Sequence, residues 1–230
     1  MSARRWRKSE VHEALVVLYL RLNGYFTTGL VVQSPEWGKN RTEIDCLAIR
    51  HPNHDQPERE LGPAPFLGLR EGEVDLLICE VKSVASELAF NERLKRDPEV
   101  VQSVLDWAGV FRRATVPSVV ERLLPLLQDG VTANHAREGV SEAGVRVRGL
   151  LCGPPCGEVE VQDTWCLVGA EILRFANDCF NPAERRVGCS TRYNFQLWGS
   201  WLAPIVECIK SGGVGSDSSL DGLYWYLDAV

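Results

Sequence analysis

The chain has 230 residues, 45% of them hydrophobic and 24% charged, with 25 Lys+Arg against 31 Asp+Glu and a net charge of −6. That balance builds one packed domain or two small ones and excludes a disordered or collagen-like chain. An acidic total also argues against a general nucleic-acid coat, whose affinity is summed from Lys and Arg, although a local nucleic-acid site stays open.

The chain begins with Arg4, Arg5, Arg7 and Lys8 ahead of a charged helix, not a signal peptide, and its longest apolar run, Ala14 to Leu20, is too short for a bilayer. A cytoplasmic protein without a membrane span is the expectation. Ser9 to Asn23 reads as an amphipathic helix with Val11, Leu15, Leu18 and Leu22 as one stripe, Ser9 as cap and Gly24 as its end. Tyr25 to Val32 is a strand, Ser34 to Gly38 a turn, and Thr42 to Arg50 a second strand. Alternation in that second strand puts Ile44, Cys46 and Ala48 on one face, and Glu43, Asp45 and Leu47 on the other. His51 to Pro65 is a polar, proline-rich loop, and Val74 to Val81 a strand buried on both faces. Asp97-Pro98-Glu99 starts a helix whose apolar face is Val100, Val104, Ala108 and Phe111. A short helix over Pro117 to Leu127 breaks near Pro125. Val145 to Leu151 and Trp165 to Val168 are further strands; Gly169 to Phe180 is a helix, and Phe195 to Lys210 another, kinked at Pro204. The order predicts an α/β fold, a mixed central sheet flanked by helices with extra helices at the C-terminal end.

The eight cysteines are irregularly spaced and follow no secretory signal, so a reduced set is expected. Cys46 and Cys79 sit in apolar runs as small hydrophobes. Cys152 and Cys156 have a spacing a metal could use, but no second close pair completes a zinc site, and core or loop packing is the expectation.

Charge interrupts the apolar pattern at three places: Glu13 in the first helix, Asp45 in the second strand, and Glu80 with Lys82 at the end of the third. Being two apart on a strand, Glu80 and Lys82 share a face. Alone, such a pair reads as a salt bridge at a sheet edge. Carboxylates delivered by two adjacent strands, however, make a set of hard oxygen ligands suited to Mg²⁺. A neighbouring lysine can hold a water and stabilise charge developing on a phosphate.

Thr42-Glu43-Ile44-Asp45 followed by Ile78-Cys79-Glu80-Val81-Lys82-Ser83 resembles the PD-(D/E)xK nuclease superfamily, which includes restriction endonucleases and Holliday-junction resolvases. Its pattern is an acid on the second strand and E-x-K on the third, often with a Glu on the preceding helix. Ile44 stands where the pattern has proline. The loop between the acidic strands is long. The resemblance covers roughly the first hundred residues. It implies a restriction-endonuclease-like single domain over 1–230, with its motif-bearing core in 1–113 and the remaining strands and C-terminal helices in 114–230. It implies catalytic Glu13, Asp45, Glu80 and Lys82, with Mg²⁺ or Mn²⁺ held by Asp45, Glu80 and the Val81 carbonyl and Lys82 near the attacking water. The substrate implied is DNA, with RNA possible, in repair, restriction or defence.

Rival features read as scaffold. Glu43 and Asp75 are expected at solvated strand ends; His51 and His54 could touch a metal, but exposed imidazoles are the expectation in that polar loop, and His135 has no nucleophile motif beside it. His12 has no nucleophile motif beside it, and Gly212 to Ser216 is a flexible connection. Phe195, Trp198 and Trp201 share a face expected to pack in the core. Local basic groups that could meet nucleic acid are Arg4, Arg5, Arg7 and Lys8, then Arg93, Lys95 and Arg96, and also Arg185, Arg186 and Arg192, each of which could equally be a solvated face. The alternative function is a catalytically inactive nuclease-like module that recruits a protein partner through Trp-rich helices. A protein partner or a second copy is expected under either reading.

Overall fold

The structure, a computed structural model, describes residues 6–56, 61–181, 199–213 and 220–229. Its helices are α1 (Lys8–Leu22), α2 (Glu92–Arg96), α3 (Pro98–Ala108), α4 (Val116–Leu123), α5 (Ala133–Glu138), α6 (Gly169–Phe180), α7 (Ala203–Lys210) and α8 (Leu220–Ala229). Its strands are β1 (Phe26–Gln33), β2 (Asn40–Arg50), β3 (Val74–Val81), β4 (Val140–Glu142), β5 (Val145–Gly153) and β6 (Cys166–Val168). They form one mixed sheet in the order β1-β2-β3-β5-β4, with β6 also on β5. β1, β2 and β3 run antiparallel; β5 lies parallel to β3 from Val74↔Val145 to Val81↔Cys152, and β6 is parallel to β5. The α/β architecture with a mixed sheet between helices is as the element order predicts. Among the described residues no helix is long and apolar enough to cross a membrane.

Two apolar layers hold the sheet. One gathers α1, α6, α7 and α8 over Cys46, Ala48, Leu77, Cys79, Leu150 and Cys152; the other gathers α3 and α4 over Ile44, Leu47, Leu76, Ile78 and Val147. The first layer takes residues from Val11 to Leu227, so both halves of the chain fill one core. α1 is therefore buried on most of its surface and not on one stripe: His12, Ala14, Val16, Tyr19 and Leu20 are as enclosed as the expected residues, because α6 packs against it in the same layer. Its cap also differs. Arg7 takes the N-cap position and its N–H donates to Glu10 Oε2 at 3.0 Å, leaving Ser9 inside the first turn. Gly24 follows the C-cap at φ +84°, as expected of a helix-ending glycine.

Alternation in β2 breaks. Leu30 pairs with Ile44 and Thr28 with Leu47, so two steps on β1 oppose three on β2. That extra residue is a β-bulge, and it moves Ile44 to the layer of Leu47 while Cys46 and Ala48 remain on the other side. The single-face expectation for Ile44, Cys46 and Ala48 is corrected accordingly.

Farther along, Asp97 caps α3 by accepting from Glu99 N–H, with Pro98 in the first turn. The helix ends at Ala108, before Phe111, and its buried residues are Val100, Val101, Val104 and Leu105. α4 gives way at Leu124 to a 3₁₀ turn containing Pro125. Pro204 starts α7 and does not kink it, since a first-turn proline gives up no helical hydrogen bond. Trp201 lies in the 3₁₀ turn before α7, 37% exposed, so it is not a core residue; Phe195 and Trp198 lie outside the described residues.

Asp75 is the largest departure. Far from being a solvated strand end, it is 3% exposed and meets Arg146 Nε at 3.0 Å, Arg148 through two guanidinium nitrogens, and the Tyr25 hydroxyl at 2.5 Å. Both arginines are buried, on the same face of β5. Their remaining N–H groups donate to the carbonyls of Gly68, Leu67 and Arg137, and the Arg148 guanidinium lies over the Trp165 ring. Buried charge persists here because every guanidinium faces acceptors.

Cys46, Cys79, Cys152, Cys156, Cys166, Cys179 and Cys208 are free thiols, all buried; Cys189 lies outside the described residues. Cys46 pairs with Cys79 in the register of β2 and β3, and both pack with Cys152 in one apolar layer. Cys152 and Cys156 pack in different clusters and share no site.

Candidate active site

The β2 bulge decides where Asp45 points. Cys46↔Cys79 is the last backbone pair of β2 with β3, one residue short of Asp45. Beyond it the Asp45 side chain takes over, its Oδ2 accepting the Val81 N–H at 2.7 Å. A carboxylate thus replaces a ladder carbonyl and is pinned against the strand that carries Glu80.

Glu80 leaves β3 on the face of Leu76 and Ile78 and is 5% exposed. Its Oε1 accepts from Lys82 Nζ at 2.8 Å and its Oε2 from Asn91 Nδ2 at 3.1 Å. Asn91 is also the N-cap of α2, its Oδ1 accepting from Leu94 N–H at 2.8 Å, so one amide fixes a helix start and a buried acid together. Lys82 is tied in turn by its own N–H to the Cys152 carbonyl at 2.8 Å. Asp45, Glu80 and Lys82 are therefore brought together at the ends of two neighbouring strands.

Electrostatics agree with that geometry. Burial raises the pKa of Glu80 and Asp45 above the usual carboxylate values; the Lys82 charge pulls both back, and Asp45 pushes Glu80 further up. Glu13, exposed on α1, also has a raised pKa, from desolvation first and then from the Asp45 charge. The Asp45 charge thus reaches both Glu13 and Glu80. Among the described residues no three His, Cys, Asp or Glu side chains are gathered as a ready-made ion cage. Glu13 is near enough to feel Asp45 without joining a tight cluster. The donor set of Asp45, Glu80 and the Val81 carbonyl is all hard oxygen, which fits a magnesium-like ion and not a thiophilic one.

Glu43 is exposed and receives a hydrogen bond from Asn40 at 3.3 Å. The basic candidates divide. Arg7 pairs with Glu10 at 3.1 Å, and the Lys8 amine lies 4.8 Å from the centre of the Tyr224 ring. Arg93 is exposed on α2, and Arg96 pairs with Glu92 at 2.8 Å. Lys95 is 6% exposed and held by Glu92 and Asp129 at 2.6 and 2.9 Å; it belongs to the scaffold, which corrects its assignment to a nucleic-acid surface. Arg4, Arg5, Arg185, Arg186 and Arg192 lie outside the described residues.

Sequence reasoning missed His12 altogether. Its Nδ1 is 2.8 Å from Ser83 Oγ and its Nε2 is 2.5 Å from the Tyr224 hydroxyl. His51 is exposed as expected, whereas His54 is half-buried beside Gly24; His135 is exposed on α5. No known protein family, curated protein or solved structure matches this chain.

Proposed function

We propose that this chain is a metal-dependent nuclease with a restriction-endonuclease-like fold, hydrolysing phosphodiester bonds of DNA in repair, restriction or defence. The observation that carries this reading is the convergence of Asp45, Glu80 and Lys82, two acids whose pKa values burial raises beside one amine. Asp45, Glu80 and the Val81 carbonyl would hold Mg²⁺ or Mn²⁺. Such an ion supplies Lewis-acid polarisation of a phosphoryl oxygen and a water of lowered pKa.

The chain's own groups do the rest. The Val81 N–H and the Asn91 amide hold the two carboxylates in place without competing for the whole of either one. Lys82, seated against Glu80, offers its N–H groups to the attacking water and its charge to the phosphoryl oxygens as negative charge builds on them. Glu13 deepens the negative potential that draws a divalent ion.

Cleavage of single-stranded, duplex and branched DNA with Mg²⁺ or Mn²⁺, with single-stranded RNA alongside, tests the reading. Activity that needs the metal and is lost in Lys82→Ala supports it; no cleavage of any substrate by the wild type rejects it. The second reading, an inactive nuclease-like module that recruits a protein, is favoured by exposed tryptophans. Trp37 is fully exposed at the β1–β2 turn, Trp225 78% exposed on α8 and Trp107 54% exposed on α3.

A further inference from the structure

His12 precedes Glu13 on α1, is 1% exposed, and has a hydroxyl at each ring nitrogen. One of these comes from Ser83, immediately after Lys82; the other comes from Tyr224 on α8. Desolvation, and then the Lys8 charge, lower the His12 pKa to about 4. A neutral imidazole has one N–H and one lone pair, so it donates to one hydroxyl and accepts from the other. The phenol is the stronger acid of the two hydroxyls and the better donor, so it donates to Nε2. The ring proton then lies on Nδ1 and is donated to Ser83 Oγ. With that oxygen serving as acceptor, the Ser83 hydroxyl keeps its own hydrogen to donate, on an exposed residue that joins the strand end carrying Lys82 to the helix carrying Glu13. An exposed hydroxyl donor at the rim of a site that holds a lysine can take an anionic phosphoryl oxygen.

We propose that Ser83 binds a non-bridging oxygen of the phosphodiester through its hydroxyl hydrogen, with His12 and Tyr224 as positioning residues that leave that hydrogen free to donate. The assignment rests on the nuclease reading above. It gives α8 a role in substrate binding although the helix lies more than two hundred positions from His12 in the chain.

Two measurements on the full chain test it. Imidazole nitrogen NMR of histidine-labelled protein, with His12 identified by its loss in His12→Gln, is expected to place the proton on Nδ1. Tyr224→Phe, which keeps the ring and removes the donor, is expected to shift the proton toward Nε2. A wild-type ring protonated on Nε2 overturns the relay. In the second, fluorescence anisotropy of a labelled blunt DNA duplex in Ca²⁺ is expected to show Ser83→Ala binding roughly ten- to a hundredfold more weakly, the worth of one hydrogen bond to a charged group, while Ser83→Thr stays within about twofold of wild type. Ser83 is exposed, and unchanged circular dichroism of the alanine variant verifies its fold. Equal binding by wild type and Ser83→Ala overturns the Ser83 assignment and leaves the nuclease reading standing. A wild type that neither binds the duplex nor cleaves it with Mn²⁺ overturns both.

Discussion

Replacing Asp75 with alanine would strand two guanidinium groups inside the protein. The carboxylate accepts from Arg146, from two nitrogens of Arg148 and from the Tyr25 hydroxyl, and its side chain is 4% exposed. Removing one partner of a buried ion pair costs about 3–5 kcal/mol, and a buried hydroxyl left without its acceptor adds about 1 kcal/mol. Glu73, 3.8 Å from Arg146 Nε, offsets part of the loss on that side. We therefore expect Asp75→Ala to lose about 3–5 kcal/mol, against a total of about 5–15 kcal/mol for a typical domain. Urea unfolding followed by circular dichroism should show a lower midpoint at unchanged slope. The combination of Asp75→Leu, Arg146→Met and Arg148→Met should recover much of the loss, since apolar groups carry no desolvation cost. Recovery should stay incomplete because the Leu67, Gly68 and Arg137 carbonyls lose their donors. A loss below about 1 kcal/mol for Asp75→Ala, the scale of an exposed pair, would refute the claim that this network is dry.

Other outcomes follow from the site. In the metal-free protein the Asp45 pKa is raised above 3.8, chiefly by burial, so its ionisation weakens the fold as pH climbs from the unfolded value through the folded one. Asp45→Asn should then unfold at a higher temperature than wild type at neutral pH, lose that advantage in acid below the carboxylate range, and gain less from added Mg²⁺. Glu13→Gln should shift the Mg²⁺ titration of cleavage to higher concentration with little change in stability, within about 0.5 kcal/mol; superimposed titrations would remove Glu13 from the site. Lys95→Ala should cost about 1–2 kcal/mol of stability and leave DNA affinity unchanged, because its amine is spent on Glu92 and Asp129. Thiol titration should find the seven described cysteines slow to react in the folded protein and eight free thiols after unfolding without reductant.

Elements with strong local signals were legible in the residues alone. Asp97-Pro98-Glu99 marked the start of α3, and the apolar run of Val74 to Val81 gave β3 to the residue. Glu80 and Lys82 stood out because charge two apart at the end of such a strand has no packing reason. What escaped was set by distant neighbours. Arg146 and Arg148 alternate with Val145 and Val147 and look like the wet face of a half-buried strand; only Asp75, on an adjacent strand, makes them interior. The β2 bulge left no trace in the alternation, and it changes which face Ile44 occupies. Asn91 carried a cap signature ahead of a five-residue helix, too short to notice, and its second bond to Glu80 depends on the fold. His12 gave no sign, since its partners lie 71 and 212 positions away.

The position of β5 has a consequence for biosynthesis. When Glu80 and Lys82 leave the ribosome, β3 has β2 on one side and nothing on the other, because its parallel neighbour is translated only after α2 to α5 and β4. α1, already made, waits longer still for α6 to pack against it. A nascent chain stalled there exposes an open strand edge and a greasy helix together, both of which invite aggregation or chaperone capture. Long-range parallel pairing is also slow to form. The strand that presents Glu80 is therefore completed late, and a chain released early would display the E-x-K sequence without the neighbouring strand that holds Lys82 in place.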